Sequence, residues 1–400
     1  MVLSRPDPSS EVLPANRSDL RLCCAICAGD LDIARQSLDS RKDFIDWLAL
    51  IEIAKDYRLA MLLYRAVDSR FAELVSPSAL EVLRSLYADN LARCQAMTAE
   101  LLRLLDRLAS EQIPAIPFKG PVWGAQLYGD IALRTYGDLD VLIRECDVAK
   151  VTRIMLDQGY QIGMSLSWEI SFVRATGESV DVHWSIAEKI HQFPLTADEL
   201  WARRATITLA GTPVPTLCAE DTLLVICFNG LTEDWQRFDR IADVAEFMRA
   251  SSAIDWPKFL DMCRRRGCER LVLLGMHLAK ELFLVRLPQS VELRLRAHRQ
   301  AIGRAGYASD AFMDVLTSPR RREGLESLRY LARMREGRRE RIPYYQSLAY
   351  SLFKPKDDDA PWQRTSRQVL YQVLRLPLLG VKHGLRVLGH ANLKETDNRP

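Results

Sequence analysis

The pattern of apolar residues changes abruptly at Ile113, and that change constrains the fold more than any single motif. Before it, Leu80, Leu83, Tyr87, Leu91, Cys94, Leu101, Leu105 and Leu108 form a stripe at helical spacing, long enough for a helix that spans a domain. Pro77 precedes Ser78 and Glu81, a capping-box pair, so the spacing predicts that this helix begins near Ser78. An earlier helical pattern runs through Trp47, Leu48, Ile51, Ala54, Leu62 and Leu63. After it, Ile113-Pro-Ala-Ile-Pro-Phe118 is short, apolar and broken by prolines, which suits an edge strand. Lys119-Gly120-Pro121 turns into a helical stretch through Leu127, residues 138–143 alternate as a strand, and 146–158 read as a helix closed by Gly159. Another strand is expected over 178–184. From Asp221 the helical period returns, over 221–228, 241–250, 256–266 and 270–283, and Pro288 with the polar run behind it marks the end of that series.

The expectation is therefore an α+β protein, a small mixed-sheet core flanked by helical regions at both ends. The boundaries fall at 1–112 for an N-terminal helical region, 113–215 for the core, 216–318 for a C-terminal helical domain and 319–400 for basic peripheral helices and a tail. Four hundred residues are enough for two or three modules, and 48% apolar with 27% charged residues excludes a disordered or collagen-like chain. No stretch approaches the roughly 18 apolar residues of a spanning helix, and the N-terminus lacks the apolar core of a signal peptide. Nine cysteines without framework spacing point to reduced thiols and a cytoplasmic protein. Cys24 and Cys27 form Cys-x-x-Cys in a helical context, and no second pair has zinc-ribbon spacing, so buried thiols are expected.

The formal net charge of +3 conceals an uneven distribution. Residues 320–341 hold nine arginines and four glutamates, a local +5, which leaves −2 for the rest. Between Ala360 and Asn392 there is no acidic residue. An anionic partner is thus sought along the 320–390 region. The arginines of 320–341 read as a solvated helix face or as a contact for nucleic acid or an anionic acceptor, and the acid-free stretch after Ala360 reads as a segment lying on an anionic membrane surface or as a docked amphipathic tail.

The chemistry concentrates at Gly137-Asp138-Leu139-Asp140. In a strand, residues two apart point the same way at about 6.5–7 Å, so two carboxylates can share a divalent cation. The tetrapeptide alone is weak evidence, because Gly29-Asp30-Leu31-Asp32 repeats it between two helical stretches, where Asp30 or Asp32 reads as a helix cap. The second copy differs in its surroundings. It opens a strand, it follows the Lys119-Gly120 turn, and Asp181 lies on a later strand, Val180-Asp-Val-His-Trp184. A carboxylate flanked by valines in a sheet needs compensation, from a metal or from an arginine. His183 shares the face of Asp181 and is read as a neighbour that packs or orients more than as a metal ligand.

The run PFKGPVWGAQLYGDIALRTYGDLDVLI, followed by VDVHW, resembles the bacterial family of uncharacterised nucleotidyltransferases, within the polymerase-beta-like superfamily. The resemblance extends over most of the chain and includes the segments around Asp243 and Ile254-Asp-Trp256. It implies a nucleotidyltransferase core with Mg²⁺ or Mn²⁺ under a nucleoside triphosphate such as ATP. It further implies that Asp138, Asp140 and Asp181 are catalytic and metal-binding, the last helping to deprotonate or orient an acceptor hydroxyl. Lys119, Gly120, Arg134 and Gly137 would meet the nucleotide. Pro121 stands where the superfamily has a turn serine, and Lys119 is the substitute as a point charge. The long Gly120-to-Asp138 spacing is shared by the family. Asn229-Gly230 replaces a histidine-glycine pair that relatives often carry.

Arg134 has a second reading as a structural partner of Asp138 or Asp130. Asp243, in an apolar helix, reads equally as a cap, a buried ion pair or a residue supporting the site. The expected function is transfer of a nucleoside monophosphate from the triphosphate to a hydroxyl or phosphate acceptor, with release of pyrophosphate. A peptide, a small molecule, a sugar and an RNA end all fit as acceptor. Two other readings are an inactive nucleotide-binding regulator and an accessory factor that acts through the basic C-terminus.

Overall fold

A computed structural model describes residues 17–29, 45–188, 191–233, 235–250, 254–304 and 334, all within the first of two structural units, Met1–Gly337. The basic C-terminal region, the Asp30-Leu-Asp32 tetrapeptide and residues 1–16 lie outside the described residues.

The N-terminal part is helical, with helices over Arg17–Ala28, Trp47–Asp56 and Ala60–Ala66 and a long one over Pro77–Ser110. The long helix starts earlier than its capping-box pattern predicts, with the cap two residues upstream. Ser76 is the N-cap and its hydroxyl accepts a hydrogen bond from the Ala79 backbone N–H at 3.3 Å. Pro77 then takes the first helical position, where a fixed φ helps and a missing N–H costs nothing. At 34 residues the helix is about 50 Å long, and its buried face carries Leu83, Cys94, Met97, Leu101, Leu104 and Leu108.

The sheet has five strands in the order β1-β2-β5-β4-β3. β1 (Ile116–Phe118) is an edge strand antiparallel to β2 (Leu139–Leu142), and β2 runs parallel to β5 (Ser179–His183). Parallel neighbours need a long crossover. Here it contains the helix Val148–Asp157 and a hairpin of β3 (Gln161–Ser165) and β4 (Glu169–Val173). β4 returns antiparallel to β5, which makes the sheet mixed.

Two hairpins go unrecognised in the sequence. β3 is mostly exposed, and its short alternation of Ile162 and Met164 is interrupted by a glycine where the register shifts, so the strand signal is weak. β6 (Ala205–Leu209) and β7 (Thr212–Thr216) form a separate two-stranded sheet joined by Ala210-Gly211, both at positive φ. Pro213 and Pro215 argue against a strand, yet an edge position tolerates them because the partner on that side needs no N–H.

Beyond the hairpin come helices over Ala219–Thr232, Phe238–Ala250, Trp256–Arg265, Glu269–Phe283 and Gln289–Arg304. The polar run after Pro288 is therefore a further helix, and Lys280 with Glu292 (2.5 Å) and Arg294 with Asp261 (2.5 Å) fasten it to the preceding ones. Among the described residues, no helix is long and apolar enough to cross a membrane.

Candidate active site

Each element of the site is placed by a nearby backbone constraint. β1 ends at Phe118, and Lys119 follows at φ 59°, ψ −152°, a region that residues with a Cβ seldom enter and that costs about 1–3 kcal/mol. Gly120 also has positive φ (41°), and a Cβ built on it would lie 3.4 Å from the Asp138 carbonyl oxygen. The turn therefore lies directly against the backbone of the Gly137-Asp138 bend. That bend is held from the other side by the long helix. Asn90 Nδ2 donates to the carbonyls of Ala132 (2.7 Å) and Arg134 (3.4 Å), and Arg93 donates to the carbonyl of Tyr136.

The strand register then brings the acidic residues together. Asp140 on β2 pairs directly with Asp181 on β5, and Phe118 on β1 pairs with Asp140 from the other side. Both carboxylates are buried, at 4% and 6% exposure. Asp140 Oδ1 receives two donors, Lys119 Nζ at 2.6 Å and His183 Nε2 at 3.0 Å. Burial works against ionisation of Asp140, but the Lys119 ammonium and the bond from His183 outweigh it and hold the carboxyl well below the usual carboxylate range. Asp138 is half-buried at the mouth of β2. Burial raises its carboxyl, and the charges of Asp140 and Asp181 add to the rise against Lys119. Gly137 is exposed, and a Cβ built there meets no atom within 4 Å, so space is open beside the carboxylates.

His183 is fixed on every side. Its Nδ1 is 3.3 Å from Glu169 Oε2, and its ring packs against Phe118 and Trp168 with centroids 5.2 and 5.4 Å away. Because an ionised Asp140 can only accept, Nε2 is the donor in the bond between them. Glu169 sits opposite His183 in the β4–β5 register, and burial raises its carboxyl, with the His183 ring acting in the opposite sense. The sequence reading overlooks Glu169, although the alternation Glu169-Ile-Ser-Phe172 carries a strand signal.

Asp140, Asp181 and His183 offer ligand atoms that all lie within 4.8 Å of one another, and Asp138 stands outside this tight group. Two buried carboxylates on paired strands are a hard oxygen donor set that suits a divalent ion, with the imidazole spent on its bond to Asp140, so the residues fit the metal that the resemblance implies.

Arg134 and Asp243 meet each other. The guanidinium donates to both carboxylate oxygens, Nε to Oδ1 at 2.9 Å and Nη2 to Oδ2 at 3.0 Å, with both side chains almost fully buried. Tyr128 adds a hydrogen bond to Asp243 Oδ1 at 2.7 Å, and the guanidinium lies over the Trp123 ring at 5.1 Å. Of the other partners considered for Arg134, Asp130 is taken up by the Tyr87 hydroxyl and by capping the Ala132 N–H. Gly230 is explained by packing, since a Cβ there would collide with the Trp235 ring. Seven of the nine cysteines are buried, and among the described residues none joins the metal-capable group.

A small mixed sheet thus presents carboxylates on neighbouring strands beside a turn that carries a lysine. Residues 43–284 match the family model of uncharacterised nucleotidyltransferases, and the chain belongs to that family. It is accordingly a nucleotidyltransferase that acts on a nucleotide substrate. No curated protein matches the sequence. Three solved structures overlap part of it. The lincosamide antibiotic adenylyltransferase LnuA with lincomycin bound is 15% identical, with a TM-score of 0.29 over 38% of this chain and 97% of that one. The antibiotic-resistance factor ANT(2'')-Ia is 13% identical, with 0.30 over 53% and 96%. An antigenic nucleotidyltransferase-like protein from Paracoccidioides brasiliensis is 16% identical, with 0.29 over 42% and 88%. At these scores the family match identifies the chain, and the structural overlaps add nothing to it.

Proposed function

We propose that the protein moves a nucleoside monophosphate from a nucleoside triphosphate to an acceptor oxygen, using Mg²⁺ or Mn²⁺. The observation that carries this reading is the direct pairing of Asp140 with Asp181 across parallel strands, beside the Lys119 turn. Asp140 and Asp181 would hold the ion, with Asp138 closing on it from the rim. The ion supplies charge neutralisation for the triphosphate during in-line displacement. Lys119, Gly120 and the open bend at Gly137 would receive the phosphates. In the transfer the acceptor oxygen bonds to the α-phosphorus, the bond from that phosphorus to the β-bridging oxygen breaks, and pyrophosphate leaves. Asp181 orients the acceptor hydroxyl and takes its proton. His183, locked between Glu169 and Asp140, keeps the Asp140 carboxylate in one orientation, as a neighbouring group does for a metal ligand. Arg134 supports the site through Asp243, by fixing the chain that leads into Asp138.

The test is to incubate labelled triphosphates with peptide, sugar, small-molecule and RNA acceptors, and to compare wild type with Asp138→Ala/Asp140→Ala. Transfer by the wild type alone is expected. Equal transfer by both proteins would remove these carboxylates from the mechanism.

A further inference from the structure

Asp140 Oδ1 is already saturated by two donors, and this saturation bears on how metal and nucleotide bind. A carboxylate oxygen that accepts from an ammonium at 2.6 Å and an imidazole at 3.0 Å has both lone pairs engaged, so a cation at Oδ1 must compete with them, and the ammonium charge opposes a cation at Oδ2 as well. One donor has to leave before Oδ1 can serve as a ligand. His183 is not the one to go, being 1% exposed, in contact with Glu169 and packed between Phe118 and Trp168. Lys119 can go. Its side chain is 20% exposed at the edge of the turn, and its ammonium lies 5.1 Å from the Phe118 ring centroid. Among the described residues, that ammonium makes no hydrogen bond besides the one to Asp140.

We propose that Lys119 is a built-in counter-ion that competes with metal at Asp140 and weakens its binding there until a triphosphate arrives. The incoming phosphates attract the ammonium away from Oδ1, and the vacated oxygen becomes available to the ion. One lysine thus links the two binding events, so each ligand tightens the other by the same factor. The backbone supports this role. Lys119 stands at a φ and ψ that favour glycine, a strained position of the kind that clusters at ligand clamps. The inference rests on the proposed metal site, and its test separates the two.

The experiment measures Mn²⁺ binding to the full-length protein by calorimetry and by the electron paramagnetic resonance of free Mn²⁺, with and without a non-hydrolysable triphosphate. The variants are Lys119→Met, which removes the charge at similar length, Lys119→Gly, which also relieves the backbone, and Lys119→Arg, which keeps the charge. Removing a unit positive charge next to a ligand oxygen should tighten nucleotide-free Mn²⁺ binding about tenfold in the Met and Gly variants, and leave Arg close to wild type. The factor by which triphosphate tightens Mn²⁺ binding should shrink by about the same tenfold. Triphosphate affinity itself should weaken in the Met and Gly variants. Lys119→Gly guards against misfolding, since glycine relaxes the turn. Unchanged or weaker Mn²⁺ binding in Met and Gly, with Asp181→Asn abolishing binding in the same assay, would overturn the exchange and leave the metal site standing. No Mn²⁺ binding by any protein, with or without triphosphate, would overturn both.

Discussion

Around Asp243 the carboxylates are matched by arginines, whereas around Asp140 carboxylates outnumber cations among the described residues. In the first cluster Arg134 grips Asp243, Arg240 pairs with Glu233, Arg237 with Asp239, and Arg65 and Arg249 share Glu246. In the second, Asp138, Asp140, Asp181 and Glu169 gather around one lysine and one histidine. Both clusters bury charge, and burying charge is costly unless it is paired. The matched cluster is complete as it stands and works as a fastening between the helix Phe238–Ala250 and the rest of the protein. Among the described residues the second holds more carboxylates than cations, and a cationic ligand is one way to balance them.

The difference can be broken from either side. The largest effect is expected for Asp181→Asn, which should lower nucleotidyl transfer by at least about 10³-fold. Its thermal midpoint should stay level or rise, because one of several crowded carboxylates is neutralised. A large loss of stability instead would place Asp181 with the matched cluster. Asp243→Ala should do the reverse and destabilise by about 3–5 kcal/mol in denaturant unfolding, because it leaves the Arg134 guanidinium buried without a partner. Pairing it with Arg134→Met should recover much of that loss. Glu169→Gln comes next. If it only positions His183, turnover should fall about 10- to 100-fold with little change in triphosphate KM, and Glu169→Asp should recover part of it.

The smallest effect concerns a pair that is matched on one side only. Asp221 is fully buried while its partner Arg203 is 39% exposed, and burial, opposed by Arg203, pushes the Asp221 carboxyl up to about 6. A carboxyl whose folded value lies above its unfolded value of about 3.9 favours the fold most at low pH, and that contribution is lost as pH rises through 6. Wild type should therefore lose on the order of 2 kcal/mol between pH 4 and 7 through this group, and Asp221→Asn should flatten that part of the curve. An identical pH profile in both proteins would show that Arg203 already compensates the charge.

Much of the unmatched cluster is legible in the sequence because strand geometry is local. Asp138 and Asp140 share a face by period two, and Asp181 stands out by its valine neighbours. The parallel pairing that sets Asp140 against Asp181 is not local, and Glu169 depends on a hairpin whose first strand is short, exposed and interrupted by a glycine. The long-range pair at the heart of the matched cluster is nearly invisible by sequence. Arg134 and Asp243 are 109 residues apart, and nothing in either neighbourhood selects the other. The helices are readable from period alone. Their ends are not, as the shift from Ser78 to Ser76 shows, because capping turns on one side chain reaching one N–H.

The grip of the long helix on the chain before Asp138 is made to main-chain oxygens. Asn90 and Arg93 hold the carbonyls of residues 132, 134 and 136, which every amino acid carries. These bonds are therefore independent of which side chains the stretch carries. The side chains divide between two walls, Arg134 facing Trp123 and Asp243, and the Tyr136 ring lying under the Arg93 guanidinium of the long helix at 5.8 Å. A substitution along this stretch that spares the main chain leaves these three bonds in place, and with them the register of the carboxylates behind. The anchor of the site and the side chains it carries are thus separate constraints.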